Sequence, residues 1–239
     1  MSEKLQKILA SRGYGSRRQM EQWIEAGRIK VNGQVAGLGD RVDQDADILV
    51  DGKPVRRDAA EGTRVLLLNK PAGVVCTRRD EQGRPTIFQY LPKIRAGRWI
   101  SVGRLDINTS GLLLVTNDGE LANWLMHPSS ELEREYNVRV FGVVDAAMLQ
   151  RLRKGVDIDG EMMRFKRITP GGASGSNQWY RVVLKEGKYR EVRRLWESQG
   201  IQVNRLIRIR FGGIELPRNL KMGKYLELTE DEVTELRPQ

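Results

Sequence analysis

The chain has 239 residues, 39% of them hydrophobic, and a formal net charge of +10. That apolar content supports one large core beside a small satellite module, and the positive surplus favours a polyanionic partner bound through phosphate neutralisation. A single cysteine, Cys76, and a single histidine, His127, exclude an internal disulfide framework, a cysteine-rich zinc site and a multi-histidine metal centre, and a Ser-His-Asp triad would depend on His127 alone.

The start, MSEKLQKILASRG, is amphipathic rather than the apolar core of a signal peptide. No apolar run approaches the roughly 20 residues of a membrane span. A reducing, cytoplasmic compartment is expected, with no membrane association.

Leu5, Ile8 and Leu9 share one helical face over residues 4–12. Ser16 can cap a second helix, with Gln19 three positions on completing a capping box. Met20, Trp23 and Ile24 form its apolar stripe, and Gly27 ends it. Ile29 to Val31 is a short strand before an Asn32-Gly33 turn, and Leu49, Val50 and Val55 flank a second hairpin turn at Asp51-Gly52. Residues 1–60 are therefore expected to form a small helix-helix-hairpin domain. Residues 1–30 hold seven Lys/Arg against three Glu, whereas residues 31–60 hold four basic residues against six Asp. Positive charge, Arg17 and Arg18 included, thus collects on the helices and their joining loop. A phosphate-reading face would have this distribution, and so would a solvated helix surface.

The polar segment 55–62 reads as a linker into a second domain, 61–239. There, residues 64–69, 112–116, 135–140, 178–184, 203–209 and 225–228 have strand character. Helices are expected at 119–126, from an Asp145 cap to Arg153, at 191–199, and after a Thr229/Glu232 capping box. Many strands with few intervening helices predict an α+β domain on a mixed, mostly antiparallel sheet.

Two segments carry chemistry. In Gly103-Arg-Leu-Asp-Ile-Asn-Thr-Ser-Gly111, a charged Arg-Leu-Asp lies between an apolar stretch and a buried-looking strand, with glycines on both sides. Asp106 sits where a loop enters the core. The residues by themselves leave two readings, a turn aspartate capping backbone amides or a reacting carboxylate. Residues 181–210 hold nine Lys/Arg against three Glu. On a helix beginning near Glu191, Arg190, Arg193, Arg194 and Glu197 share a face while Val192, Leu195 and Trp196 turn to the core. One inward arginine could keep a carboxylate ionised, and the others could meet phosphates. The remaining candidates are weaker. His127 reads as structural or RNA-contacting, Asp118-Gly119 as a turn, Cys76 as a packed small residue, and Trp179 and Tyr180 as core strand residues. Gly171 to Ser176 lacks the lysine of a phosphate loop and reads as a flexible hairpin tip.

Ser16-Arg-Arg followed by Gly27-Arg-Ile-Lys-Val-Asn-Gly33 resembles the RNA-binding domain named after ribosomal protein S-four. Lys70-Pro-Ala-Gly73, Gly103-Arg-Leu-Asp106, Glu135-Tyr136, Gly187-Lys-Tyr-Arg-Glu-Val-Arg193 and Leu206-Ile-Arg-Ile-Arg-Phe-Gly212 resemble, in order, the motifs of the RsuA/RluB/RluE/RluF group of pseudouridine synthases. Residues 123–136 and 177–196 look closest to the branch that modifies large-subunit (23S) rRNA.

The resemblance implies an isomerisation in which the C1′–N1 bond of uridine breaks, the base rotates and C5 rejoins C1′. It implies Asp106 as nucleophile, Tyr136 stacked on the uracil and helping to remove the C5 proton, and Arg193 paired with Asp106. Leu206 would line the uracil pocket and Arg104 would contact RNA near the space left by the flipped nucleotide. Lys70, Arg190, Arg17 and Arg18 are expected to join them in binding RNA. No cofactor, metal or protein partner is expected, and the protein is expected to act as a monomer on rRNA. Two rivals remain from the residues: a non-catalytic RNA-binding assembly factor, and a metal-dependent nuclease needing clustered carboxylates or histidines. Small-subunit (16S) rRNA is the alternative substrate of the same chemistry.

Overall fold

A computed structural model describes residues 2–43, 45–56, 62–95, 97–174 and 177–237. Residues 57–61 of the expected linker and residues 175 and 176 of the expected hairpin tip lie outside the described residues. The chain divides into two compact units. The first comprises Met1–Arg64, Pro92–Ile100 and Asn117–Gly119, and the second Val65–Leu91, Ser101–Thr116 and Glu120–Gln239. The sequence suggested a single boundary at 60/61, whereas the first unit also takes in two later segments. Packing explains one of them. Gly13 lies so close to Gly97 that a Cβ would stand 2.6 Å from the Gly97 carbonyl oxygen. Trp99, buried in the same unit, donates to the Pro92 carbonyl (2.8 Å) under the Arg64 guanidinium.

The first unit runs β1 (Glu3–Lys4), α1 (Leu5–Ser11), α2 (Arg17–Glu25), β2 (Ile29–Val31), β3 (Gln34–Val35), β4 (Arg41–Val42), β5 (Ile48–Val50) and β6 (Lys53–Pro54). Its main sheet has the order β3-β2-β5-β6, and β1 pairs with β4. The expected apolar stripes meet in one core: Leu5, Ile8 and Leu9 of α1 against Met20 and Ile24 of α2 and Ile29, Ile48 and Val50 of the sheet. Each such side chain stabilises the fold by about 1.5–3 kcal/mol. Both hairpin turns place their central pair in the left-handed region, Asn32 and Gly33 at φ 49° and 84°, Asp51 and Gly52 at 49° and 75°. That geometry matches the twist of the strands it joins. Ser16 caps α2 by accepting from Gln19 N–H (3.0 Å), which is the first half of the expected capping box.

The remaining elements are, in chain order, β7 (Val65–Lys70), β8 (Ile100–Ser101), β9 (Thr109–Thr116), α3 (Gly119–Met126), β10 (Arg134–Phe141), α4 (Ala146–Lys154), β11 (Val156–Ile158), β12 (Glu161–Met163), β13 (Arg167–Ser174), β14 (Asn177–Leu184), α5 (Glu191–Glu197), β15 (Gln202–Phe211), β16 (Ile214–Glu215), β17 (Tyr225–Glu227) and α6 (Glu230–Glu235); apart from Ile100 and Gly119 they belong to the second unit. Its sheet has the order β13-β14-β10-β15-β9-β7-β17. Only the β15–β9 pairing along this path is parallel, so the sheet is mixed and mostly antiparallel. Every residue of β7 and β9 is buried. Val192, Leu195 and Trp196 of α5 enter the core as expected, with Trp196 against Tyr180 and Phe165 at centroid distances of 5.0 and 6.1 Å. Trp179 is only half-buried.

The sequence missed β11, β12 and β13. β13 holds Pro170, Gly171 and Gly172 at a register shift, residues that weaken strand character. It lies at the end of the sheet order, where a proline costs no ladder hydrogen bond. Among the described residues no helix is long and apolar enough to cross a membrane, and no group of three or more His, Cys, Asp or Glu side chains could hold a metal ion.

Candidate active site

The parallel pairing of β9 with β15 places Thr109 beside Leu206 and Gly111 beside Arg208. Gly111 has φ 101°, and a Cβ there would lie 2.2 Å from the Arg208 carbonyl oxygen. Only glycine allows this approach, which brings the loop before β9 to the sheet at β10 and β15.

That loop carries Asp106, and its backbone is held from Leu105 to Thr109. The Leu105 carbonyl accepts from Cys76 Sγ (3.4 Å), Asp106 from Lys70 Nζ (3.2 Å), Ile107 from Gly73 N–H (2.7 Å), Asn108 from Arg193 Nη2 (3.1 Å) and Thr109 from Lys70 Nζ (2.8 Å). Among the described residues no hydrogen bond or ion pair reaches the Asp106 carboxylate, so the aspartate is not the amide cap that its turn would equally allow. The half-buried side chain lines a cavity of about 450 Å³. A polar backbone so fully satisfied holds the carboxylate in place without consuming its oxygens.

Tyr136 on β10 and Leu206 on β15, both buried, line the same cavity and give it an aromatic and an aliphatic wall. Arg104 is exposed at its edge. Arg190, Lys185 and Lys188 also line it, on the turn before α5, with Arg190 in the left-handed region at φ 49°. Arg134 holds that turn through the Lys185 carbonyl (2.7 Å). Glu191 holds it by accepting from Lys188 N–H (3.1 Å), and burial pushes the Glu191 carboxyl above its usual range.

Two expectations are corrected here. Lys70, expected to bind RNA, is fully buried, and its ammonium donates to the carbonyls of Pro71, Asp106 and Thr109 (2.9, 3.2 and 2.8 Å). It has no face left for substrate and instead holds the loop. Arg193, expected to pair with Asp106, is 8% exposed and donates to the carbonyls of Val203 (2.9 Å) and Asn108 (3.1 Å). Its charge and that of Asp106 interact through space, and among the described residues it makes no ion pair. A third expectation is narrowed. Three other arginines of residues 181–210 already meet acids: Arg190 bonds Glu197 (3.4 Å), Arg194 bonds Asp159 (2.8 Å) and Glu161 (3.2 Å), and Arg210 bonds Glu133 (2.8 Å) and Glu135 (2.9 Å).

Arg17 and Arg18, in the first unit, are exposed on the opening turn of α2. Arg17 lines a cleft with Lys4, Lys7 and Arg41. His127, exposed, caps a short turn, accepting from Ser129 N–H (3.2 Å), and Asp118 accepts from Thr63 Oγ1 (3.0 Å). The sequence overlooked Arg208, Arg134 and Phe211 as cavity residues. Strand alternation was the available signal for Arg208, because it lies two positions from Leu206 and so on the same face.

Burial, the largest influence, pushes the Lys70 ammonium down from 10.5 to about 8; the Cys76 and Asp106 charges oppose this and Arg208 reinforces it. Native Lys70 therefore loses its proton near pH 8, while the unfolded chain keeps it to 10.5, so between those values the unfolded state binds more protons. Lys70's contribution to stability is lowest below that window and rises with pH through it. Unfolding free energies from denaturant titration, wild type minus Lys70→Met, should increase between about pH 7 and 10. A difference independent of pH would contradict this placement of Lys70.

Residues 64–198 match the family model described as RNA pseudouridylate synthase, and residues 3–48 match that of the S4 domain. The chain is 56% identical over 241 residues to the ribosomal large subunit pseudouridine synthase B of Escherichia coli (strain K12), covering 99% of this chain and 83% of that protein. It is 57% identical over 239 residues to the protein of the same name from Haemophilus influenzae, covering 98% of this chain and 67% of that protein. A crystal structure of a pseudouridylate synthase aligns with a TM-score of 0.68 at 28% identity, covering 98% of this chain and 99% of that one.

Proposed function

Because the chain belongs to the RNA pseudouridylate synthase family, we propose that it isomerises uridine to pseudouridine in the 23S rRNA of the large ribosomal subunit, with Asp106 as nucleophile. One observation carries the assignment of Asp106. The carbonyls from Leu105 to Thr109 are bonded, while the Asp106 carboxylate is left for a ligand in a cavity walled by Tyr136 and Leu206.

A uridine stacked in RNA hides C1′, so the nucleotide must first be extruded, at a cost of a few kcal/mol that contacts in the pocket offset. The apolar wall of Leu206 and the ring of Tyr136 suit the two faces of a flat base. Asp106 then attacks the ribose or the base, the C1′–N1 bond breaks, and the base turns to present C5 to C1′. The bond between Asp106 and the substrate breaks as C5–C1′ forms or directly after it, which returns the free carboxylate; Tyr136 then helps remove the C5 proton, and N1 ends protonated. Substrate and product have the same atoms and oxidation level, so the reaction consumes no co-substrate. Arg193 anchors the Asp106 loop through the Asn108 carbonyl, and Arg104 and Arg190 meet the backbone of the RNA.

The same proposal makes residues 1–60 an RNA-docking domain and residues 61–239 the catalytic domain, in a monomer acting in the cytoplasm. The test of the reaction is to incubate the protein with rRNA in excess EDTA and map carbodiimide-dependent reverse-transcription stops. A new stop in the large-subunit RNA is expected. Metal-dependent strand cleavage would favour a nuclease, and binding without either product would favour an assembly factor. For the docking domain, replacing Arg17 and Arg18 by Ala should weaken rRNA binding and lower the slope of log K against log salt by about 1 to 2. An unchanged slope would remove those residues from the RNA interface.

A further inference from the structure

Arg208 has no role in the chemistry described above, yet it is among the most enclosed charges of the second unit. It is 4% exposed, on β15, opposite Tyr136 across the β10 pairing, and it lines the cavity with Asp106. Its Nε donates to the Leu112 carbonyl (2.7 Å), and its guanidinium lies 5.3 Å from the centroid of Phe211, which fixes the orientation of the group. Its Nη2 is buried and has no hydrogen-bond partner among the described residues. A buried cationic donor without an acceptor is costly, and in native proteins it commonly marks a place where a ligand supplies the acceptor.

We propose that Arg208 Nη2 donates to a carbonyl oxygen of the flipped uracil and stabilises the charge that develops there during bond cleavage. Three arguments choose the base over a phosphate. Arg208 lines the cavity as an enclosed residue, 4% exposed, whereas Arg104 and Lys185 line it as exposed cations, where a solvated backbone would pass. The planar base is the part of a nucleotide that enters deepest. Finally, when C1′–N1 breaks, its electron pair goes to the leaving uracil, where N1, O2 and O4 share the negative charge. A fixed, enclosed donor at O2 or O4 is then bonded more strongly in the transition state than in the ground state.

The proposal rests on the reading of the Asp106 cavity as the uridine pocket. Its test crosses variants of the protein with variants of the RNA. Single-turnover conversion and RNA affinity are measured for wild type, Arg208→Met and Arg208→Lys. The substrates carry uridine, 2-thiouridine or 4-thiouridine at the target, since sulfur accepts hydrogen bonds poorly. Arg208→Met is expected to slow conversion of uridine about 10²- to 10³-fold with affinity changed less than about 3-fold, and Arg208→Lys to slow it about 10-fold. One of the two thio substitutions should slow wild type about 10-fold more than it slows Arg208→Met. Coupling at O4 would also make Arg208 a discriminator against cytosine, which has an amino donor there; coupling at O2 would make it a positioning and charge-stabilising contact alone. Absence of coupling at both oxygens would overturn the proposal. If Arg208→Met does not fold, the same comparison is made with Arg208→Lys. Failure of wild type to convert plain uridine would instead count against the pocket itself.

Discussion

Asp106→Asn is expected to lower single-turnover pseudouridine formation by about 10⁴-fold or more while leaving RNA affinity within about 3-fold. The amide keeps the size and planarity of the carboxylate but is a poor nucleophile. Folding should be almost unaffected, because the bonds that hold this loop use its main-chain carbonyls and not the Asp106 side chain. Tritium release from transcripts labelled at uracil C5, together with filter binding and thermal unfolding, separates the three effects. A variant that lost binding and stability along with activity would make Asp106 structural.

Arg193→Met is expected to have the next largest effect, and of a different kind. Two carbonyls, that of buried Val203 and that of exposed Asn108, lose their donor, and Asp106 loses a nearby cation. The orphaned acceptors should lower the unfolding free energy by about 2–4 kcal/mol. The rate should fall by about 10²- to 10³-fold at a temperature where the variant is still folded, because the Asn108 carbonyl no longer anchors the loop that positions the carboxylate. Arg193→Lys keeps the charge without the two-pronged geometry, so it should recover part of the rate but little of the stability. Chemical denaturation run beside single-turnover kinetics checks both. If Arg193→Met retained full stability, its bonds to the two carbonyls would not be what holds it.

How much of this was legible follows from the range of the interactions. Turn chemistry and periodicity are local, so Asn32-Gly33, Asp51-Gly52, the Ser16 cap and the stripes of α1 and α2 could be read directly. Asp106 was conspicuous for the same reason, as a charge entering an apolar strand. What fixes the role of Lys70, however, is a set of carbonyls that includes Asp106 and Thr109, 36 and 39 residues away. Arg194 likewise finds its acids 35 and 33 residues away, on the turn and strand of the β11–β12 hairpin that the sequence did not reveal. A count of charges over residues 181–210 therefore overstated the cations available to RNA. Arg208 was hidden inside that count; only its position on the Leu206 face of β15 separates it from a surface arginine.

The central claim is that this chain isomerises uridine in 23S rRNA through Asp106. Its most direct test is to incubate wild type and Asp106→Asn with 16S and 23S transcripts and map pseudouridine in each at nucleotide resolution. A discrete stop in 23S RNA with wild type, absent with Asp106→Asn, is the predicted result. The same stop produced by Asp106→Asn, or modification confined to 16S RNA, would contradict it.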